Sequence, residues 1–186
     1  TSVPATMVLV NNETGEVCSL MDGTYLTRVR TGAVSGAATD ALARKDSRVF
    51  ALFGTGGQAE TQLEGVLTVR PIQLVKVFDM NPGRAKDFAK RMTAAFSEKF
   101  GVRIEAAASS DEAVDNADVI TTVTTSKTPT FDGRRVKKGA HVNGVGAYTP
   151  VMQEIDEYLL TAADKVYVDT RNGALNEAGD FIIPIS

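Results

Sequence analysis

The sequence predicts an α/β fold built on a doubly wound parallel sheet, with helices on both faces. Three observations carry that expectation. Short apolar runs, RVFALF, QLVKVFDM and DVITTVT, alternate with longer segments of helical periodicity. The first of them climbs into a glycine cluster, FGTGGQAE at 53–60, after which the chain becomes helix-friendly. The second is followed by Asn81-Pro82, an N-cap residue with proline at the first helical position.

Taken in order, TMVLVNNETGEVCSLMDG gives two short strands around turn residues Asn11, Asn12 and Gly15, hence a hairpin. TGAVSGAATDALAR reads as a helix from residue 31, with Val34, Ala37, Ala38, Ala41 and Leu42 on one face. Its Ala and Gly content allows close packing. RVFALF is a buried strand. From Gly56 to about Val69 the pattern is helical, with Ala59, Leu63, Val66 and Leu67 inward. QLVKVFDM is the next strand, and the helix opened by Asn81 turns Ala85, Phe88, Ala89, Met92 and Phe96 inward. VRIEAAAS is a short strand, and SDEAVDNA a short helix with a Ser cap and acids in its first turn. DVITTVT, HVNGVG and KVYVDT are three more strands. No internal repeat or low-complexity linker interrupts the chain.

Composition narrows the function classes. A net charge of −3 over 186 residues, with both signs interspersed, argues against a nucleic-acid partner. Cys18 is single, so no internal disulfide forms, in keeping with a reducing cytoplasm. No apolar run approaches the roughly 18 residues of a membrane span, and no signal peptide is visible. A soluble cytoplasmic protein without membrane contact is expected. The absence of a starting Met suggests a fragment. No Cys/His or His/carboxylate cluster has metal-ligand spacing, and no nucleophile elbow is present.

Gly54, Gly56 and Ala59 form G-x-G-x-x-A between a strand and a helix, the context that marks a Rossmann dinucleotide loop. Gly54 permits the tight turn, Gly56 lets a pyrophosphate approach the backbone, and Ala59 lets the helix lie close to the strand. Thr55 lies within the loop. Free N–H groups near Gly57 and Gln58 point at the phosphates, where the helix dipole favours negative charge. Ordinary tight strand–helix turns show the same pattern. Asp79 stands about 25 residues past Gly54, near the spacing of a ribose-binding acid. The alternative is a plain turn residue in DMNPG. Asn81 and Arg84 follow; Arg84 either receives a 2′-phosphate or is merely solvated. Thr124, Thr125 and Ser126 lie past one strand end and Asn143, Val145 and Gly146 at another, where open α/β sheets bind ligands. His141 sits at the start of its strand and reads as structural.

LTRVRTGAVSG, FGTGGQA, VFDMNPGRA, ADVITTVTTSKTP and HVNGVGAYTP, in this order, resemble the ornithine cyclodeaminase/mu-crystallin family. The resemblance implies a Rossmann domain inserted into a second α/β domain that binds substrate and forms a dimer. It implies three segments here: 1–30 from the substrate/dimerisation domain, 31–170 the NAD(P)-binding domain with its connecting helix, and 171–186 the return. It further implies that about a fifth of a family member is absent at each end. A catalytic Lys would lie upstream of Thr1, and the 186-residue chain alone would be inactive. Arg30 matches the family's substrate-carboxylate arginine, a role suited to a bidentate guanidinium. Gly57, Gln58, Asp79, Thr124, Asn143 and Val145 match its cofactor positions. One departure stands out. Cyclodeaminases and related alanine dehydrogenases carry an Asp after the last of these strands, whereas this chain has Gly146-Ala147-Tyr148. A phenol with an ordinary pKa near 10 is a poor base at neutral pH. The expectation is therefore an NAD(H)-dependent enzyme, with NADP(H) possible, acting at the Cα–N centre of a small amino or imino acid. Arg30 and Tyr148 are its catalytic candidates, imine reduction is favoured over ornithine cyclodeamination, and the full-length protein is a homodimer. The alternatives are a non-catalytic crystallin-like NAD(P)-binding protein, an alanine dehydrogenase, and a methyltransferase with a similar glycine loop.

Overall fold

The computed structural model describes residues 4–185. Residues 1–3 and Ser186, parts of the two expected flanking segments, lie outside the described residues. Strands β1 (Thr6–Val10) and β2 (Val17–Asp22) form an antiparallel hairpin. Helix α1 (Gly23–Leu42) leads to β3 (Val49–Phe53), α2 (Ala59–Val69), β4 (Leu74–Phe78), α3 (Pro82–Phe100) and β5 (Arg103–Ala106). Then come α4 (Ser110–Val114), β6 (Val119–Thr122), β7 (His141–Gly144), α5 (Glu157–Ala162), α6 (Arg171–Glu177) and α7 (Gly179–Ile185). Strands β3 to β7 form one five-stranded parallel sheet in the order β5-β4-β3-β6-β7. The order reverses at β3, which places a crevice beyond the carboxyl ends of β3 and β6.

The central strand explains why its sequence is continuously apolar. Phe50 and Leu52 face one cluster with Leu63 and Val66 of α2 and Phe88, Met92 and Phe96 of α3. Ala51 and Phe53 face the other, with Ala113 and Val114 of α4, Ile120 and Phe131. Each fully buried large side chain contributes about 2–3 kcal/mol relative to exposure. The inward faces expected for α2 and α3 are the buried ones, and Asn81 caps α3 through Gly83 and Arg84.

Three expectations change. The α1 helix starts at Gly23 rather than at residue 31, because the Asp22 carboxylate accepts from the amides of Thr24 and Tyr25 and caps it. Arg30 thus lies in the second turn rather than at a helix start, and the expected boundary at 30/31 falls inside α1. The buried face of α1 is Gly32, Ser35, Gly36 and Thr39, while Val34 is exposed. The glycines, rather than the apolar residues, meet α2: a Cβ on Gly32 would overlap the Thr61 carbonyl, and one on Gly65 the Gly32 carbonyl. Backbone contact is available only where side chains are absent, so hydrophobic periodicity misplaces this face. KVYVDT is not a strand. Val166, Tyr167 and Val168 are exposed in irregular backbone, with no ladder to β7 or to the hairpin.

The end of α1 is locked by a residue outside it. Arg70 is buried and donates to the carbonyls of Thr39 (2.8 Å), Asp40 (2.7 Å), Ala43 (3.0 Å) and Arg44 (3.0 Å) and to the Asp40 carboxylate (2.7 Å). A cation that satisfies the last carbonyls of a helix is doubly favourable there. Bonding by Arg70, then Lys45, holds the Asp40 carboxyl at about 2, against 3.8 unperturbed. Arg70→Met should cost about 3 kcal/mol, since several buried carbonyls lose their donor, read as a shift in the urea midpoint. The part tied to Asp40 is present above its unfolded value of 3.8 and lost as pH falls toward about 2. The gap between parent and variant should therefore narrow through that window.

Candidate functional site: a glycine loop and two clamped strand ends

The carboxyl ends of β3, β4, β6 and β7 converge at one edge of the sheet. Gly54 has φ +99°, in the region that favours glycine, and its amide donates to Phe78 O at 2.8 Å. A Cβ there would lie 2.8 Å from Val123 O, so this residue seats the β3 turn between the ends of β4 and β6. Asp79, just past β4, holds the loop: its Oδ2 accepts from Thr55 Oγ1 (2.5 Å) and Thr55 N (3.2 Å), and its Oδ1 from Asn81 N (3.0 Å). Arg84 approaches the same carboxylate at 3.8 Å. The Asn81 side chain is committed to capping α3, through Gly83 N and Arg84 N.

Beyond Thr55 the loop opens. A Cβ on Gly56 or Gly57 would meet nothing within 4 Å. The amides of Gly56, Gly57 and Gln58 make no hydrogen bond among the described residues, and the buried Gln58 Oε1 lacks a partner there. Ala59 is fully buried and seats α2 on the sheet. Free N–H groups, the positive end of α2 and bare space form a cradle with the chemistry of a pyrophosphate site.

The other half of the site is built around a residue that sequence reasoning missed. Glu154 is fully buried, with no ion-pair partner among the described residues. Its Oε1 accepts from Thr124 N (2.5 Å) and Thr124 Oγ1 (2.6 Å); its Oε2 accepts from Gly146 N (2.6 Å) and Thr122 Oγ1 (3.0 Å). Burial raises its pKa, opposed by the four donors. Asp180 of α7 accepts from the amides of Glu154 (2.7 Å) and Ile155 (3.0 Å), and burial likewise raises its pKa. No motif marks Glu154 in QEIDEY or Asp180 in EAGDF; only Met152 and Ile155, close to Glu154, hint at burial there.

Other expected site residues fall in different places. Asn143 is buried and bonds Thr39 Oγ1 (3.0 Å), Thr121 Oγ1 (3.3 Å) and His141 Nε2 (2.9 Å), which ties β7 to α1 and β6. Burial lowers the His141 pKa, partly offset by its bond to Asn143, in keeping with a structural histidine. Val145 continues the ladder to Thr122 O at 3.0 Å. Thr125 is exposed, and Ser126 folds back on Thr128 O at 2.6 Å. Tyr148 is exposed on the loop past β7. Arg30 is exposed on α1, and its side chain makes no ion pair or hydrogen bond among the described residues. No bond joins Arg30 or the Tyr148 side chain to the loop cluster.

A profile of the ornithine cyclodeaminase/mu-crystallin family matches residues 1–183. The chain belongs to that family. Within it, the chain is 38% identical over 179 residues to a Δ1-pyrroline-2-carboxylate reductase of Bacillus cereus, covering 96% of this chain and 54% of that one. The Thermococcus litoralis Δ1-pyrroline-2-carboxylate reductase, solved with NADH and L-proline, superposes with a TM-score of 0.90 at 41% identity, over 98% of this chain and 55% of that one. An archaeal alanine dehydrogenase dimer with bound NAD superposes with a TM-score of 0.86 at 36% identity, over 98% of this chain and 54% of that one. The chain thus spans about half the length of the relatives it matches. The parallel sheet and its glycine loop are the family's Rossmann fold. Among the described residues no helix is long and apolar enough to cross a membrane, and no group of three His, Cys, Asp or Glu side chains could hold a metal.

Proposed function

We propose that this chain is the dinucleotide-binding part of an NAD(H)-dependent reductase of small cyclic imino acids such as Δ1-pyrroline-2-carboxylate. The observation that carries this is the open Gly56–Gly57 cradle beneath Asp79, in a chain 41% identical to a reductase solved with NADH and L-proline. Gly54, Thr55, Gly56, Gly57, Gln58 and Ala59 hold the pyrophosphate, and Asp79 the adenosine ribose. Thr124, Val145 and Gly146 line the nicotinamide end, and Asn143 supports them from below. When bound, NADH supplies the hydride that reduces the carbon of the C=N bond. Arg30 grips the substrate carboxylate with two parallel hydrogen bonds, as its lack of any other partner allows. Tyr148 donates the proton to the imine nitrogen. A phenol suits donation at neutral pH better than the proton abstraction that begins amine oxidation. Residues 31–170 form the dinucleotide unit. The hairpin end (1–30) and 171–186 belong to a second, substrate-binding and dimer-forming unit; the separate two-stranded sheet of β1 and β2 supports that division.

The test is NADH oxidation by the complete protein with Δ1-pyrroline-2-carboxylate, beside pyruvate plus ammonia and, with NAD, ornithine. Turnover of the cyclic imine should lead, and Tyr148→Phe should slow it by about 100-fold, the usual weight of one general acid. Faster turnover of pyruvate would make the protein an alanine dehydrogenase. Efficient ornithine cyclodeamination would refute the role given to Tyr148. NADH binding without any turnover would favour the crystallin-like alternative.

Asp79 should make the protein prefer NADH, because a 2′-phosphate meets its charge. Arg84 waits 3.8 Å away. Asp79→Ser removes the repulsion and frees that guanidinium, so the NADH-over-NADPH preference should narrow by about tenfold or reverse. A titration in which the parent already binds NADPH more tightly would contradict the assignment.

A further inference from the structure

Between the Thr124 loop and the Gly146–Tyr148 loop, the parallel ladder stops at Val145 N to Thr122 O. Beyond that point the two loops touch through backbone, Gly146 against the Thr124 carbonyl, and a single carboxylate supplies the hydrogen bonds that join them. Glu154 gives one oxygen to Thr124 N and the other to Gly146 N, and each oxygen also receives a threonine hydroxyl. The fit is close, since a Cβ on Gly146 would lie 2.6 Å from both carboxylate oxygens. Glu154 is itself anchored. Its amide donates to Asp180, its carbonyl accepts from Thr130 N (2.8 Å) and Thr130 Oγ1 (3.0 Å), and the neighbouring Gln153 N donates to Ser126 O (3.0 Å).

From this we infer that Glu154 is a positioning residue, which fixes the spacing between the Thr124 loop and the loop carrying Tyr148, and Asp180 anchors its backbone. The inference rests on the imine-reductase reading for what the two loops do, though not for the clamp itself. Glu154 touches neither substrate nor cofactor in this account; it acts through Thr124 and Gly146. The chemistry makes a sharp distinction between the two buried acids. Backbone N–H groups face both oxygens of Glu154, so both must accept. An amide at this position turns its NH2 toward one backbone donor in either orientation and leaves a buried N–H opposed rather than bonded. Asp180 receives both of its backbone donors on one oxygen, so an asparagine carbonyl can replace it.

The experiment compares Glu154→Gln with Asp180→Asn in the complete protein. Steady-state kinetics, NADH titration, thermal melting and amide hydrogen exchange are read together. Glu154→Gln should lower kcat for the cyclic imine by about 100-fold, as expected for misplaced reacting groups. Its NADH Kd should stay within about threefold, because the adenosine half is held elsewhere. Exchange should speed up by about tenfold at Gly146–Tyr148 and not across the central strands. Asp180→Asn should stay within about threefold in kcat. A kcat within about threefold for Glu154→Gln, or equal losses in kcat, NADH binding and melting temperature, overturns the inference. If the unaltered protein does not reduce the imine, the functional reading fails and the exchange data alone decide: faster exchange confined to the two loops upholds the clamp, and uniform change rejects it. If Glu154→Gln does not fold, Thr122→Val is the deciding variant. A kcat loss of about fivefold at an unaltered melting temperature supports the clamp, and unaltered kcat overturns it.

Discussion

Gly32→Val should lower stability by about 4 kcal/mol, a large part of the roughly 5–15 kcal/mol that keeps an ordinary domain folded. The first added carbon already overlaps the Thr61 carbonyl, and the β-branch leaves no rotamer to escape into. Overpacking usually costs about 1–3 kcal/mol because side chains can yield. Here the obstacle is backbone, and α1 and α2 must separate. Gly36 faces the Gly65 backbone one turn on, so the whole helix contact opens. Val34→Thr, on the exposed face of the same helix, should stay within about 0.5 kcal/mol. Urea unfolding of the two variants checks the pair. An unchanged midpoint for Gly32→Val would mean that the helices do not meet through their glycines. Arg30 lies two residues away on the same helix, so a displacement of α1 moves it as well.

Arg30→Ala should reduce kcat/KM for the cyclic imine by about 1,000-fold, or about 4 kcal/mol, within the cost of removing one partner of a desolvated charge pair. The effect should fall on KM and kcat for the imino acid and leave NADH affinity within about twofold. Arg30→Lys should recover only part of the loss, since an ammonium cannot make the two parallel bonds. The neighbouring Arg28, whose guanidinium lies 3.6 Å from Glu60, provides the comparison. If Arg28→Ala matched Arg30→Ala, the carboxylate site would have been assigned to the wrong arginine. Stopped-flow NADH oxidation separates these cases.

The parts of the fold that rest on side-chain burial were legible in the sequence. The continuous apolar run at 49–53, the inward faces of α2 and α3 and the Asn81-Pro82 start of α3 follow from periodicity and capping. The glycine loop was legible because its residue types answer a backbone need: Gly54 at positive φ, and open space at Gly56. Features that rest on backbone contact or on distant partners were not. The Ala and Gly content of α1 pointed to close packing, but the contact with α2 runs through glycines, which carry no hydrophobic signal, so its face was misplaced. KVYVDT has strand composition but is unpaired, and composition says nothing about whether an edge is available. Glu154 and Asp180 carried no signal in the sequence, because their donors come from residues up to 32 positions away. Asn143 lay at the expected strand end, yet its side chain belongs to a buried network with Thr39 and Thr121.

The most direct measurement of the central claim follows an isotope. The complete protein is supplied with Δ1-pyrroline-2-carboxylate and NADH carrying deuterium at both C4 positions, and the product is examined by mass spectrometry and NMR. The account predicts L-proline with one deuterium, located at Cα, formed in step with NADH consumed. Proline without deuterium at Cα, or no NADH consumed with the cyclic imine while pyruvate plus ammonia does consume it, would contradict it.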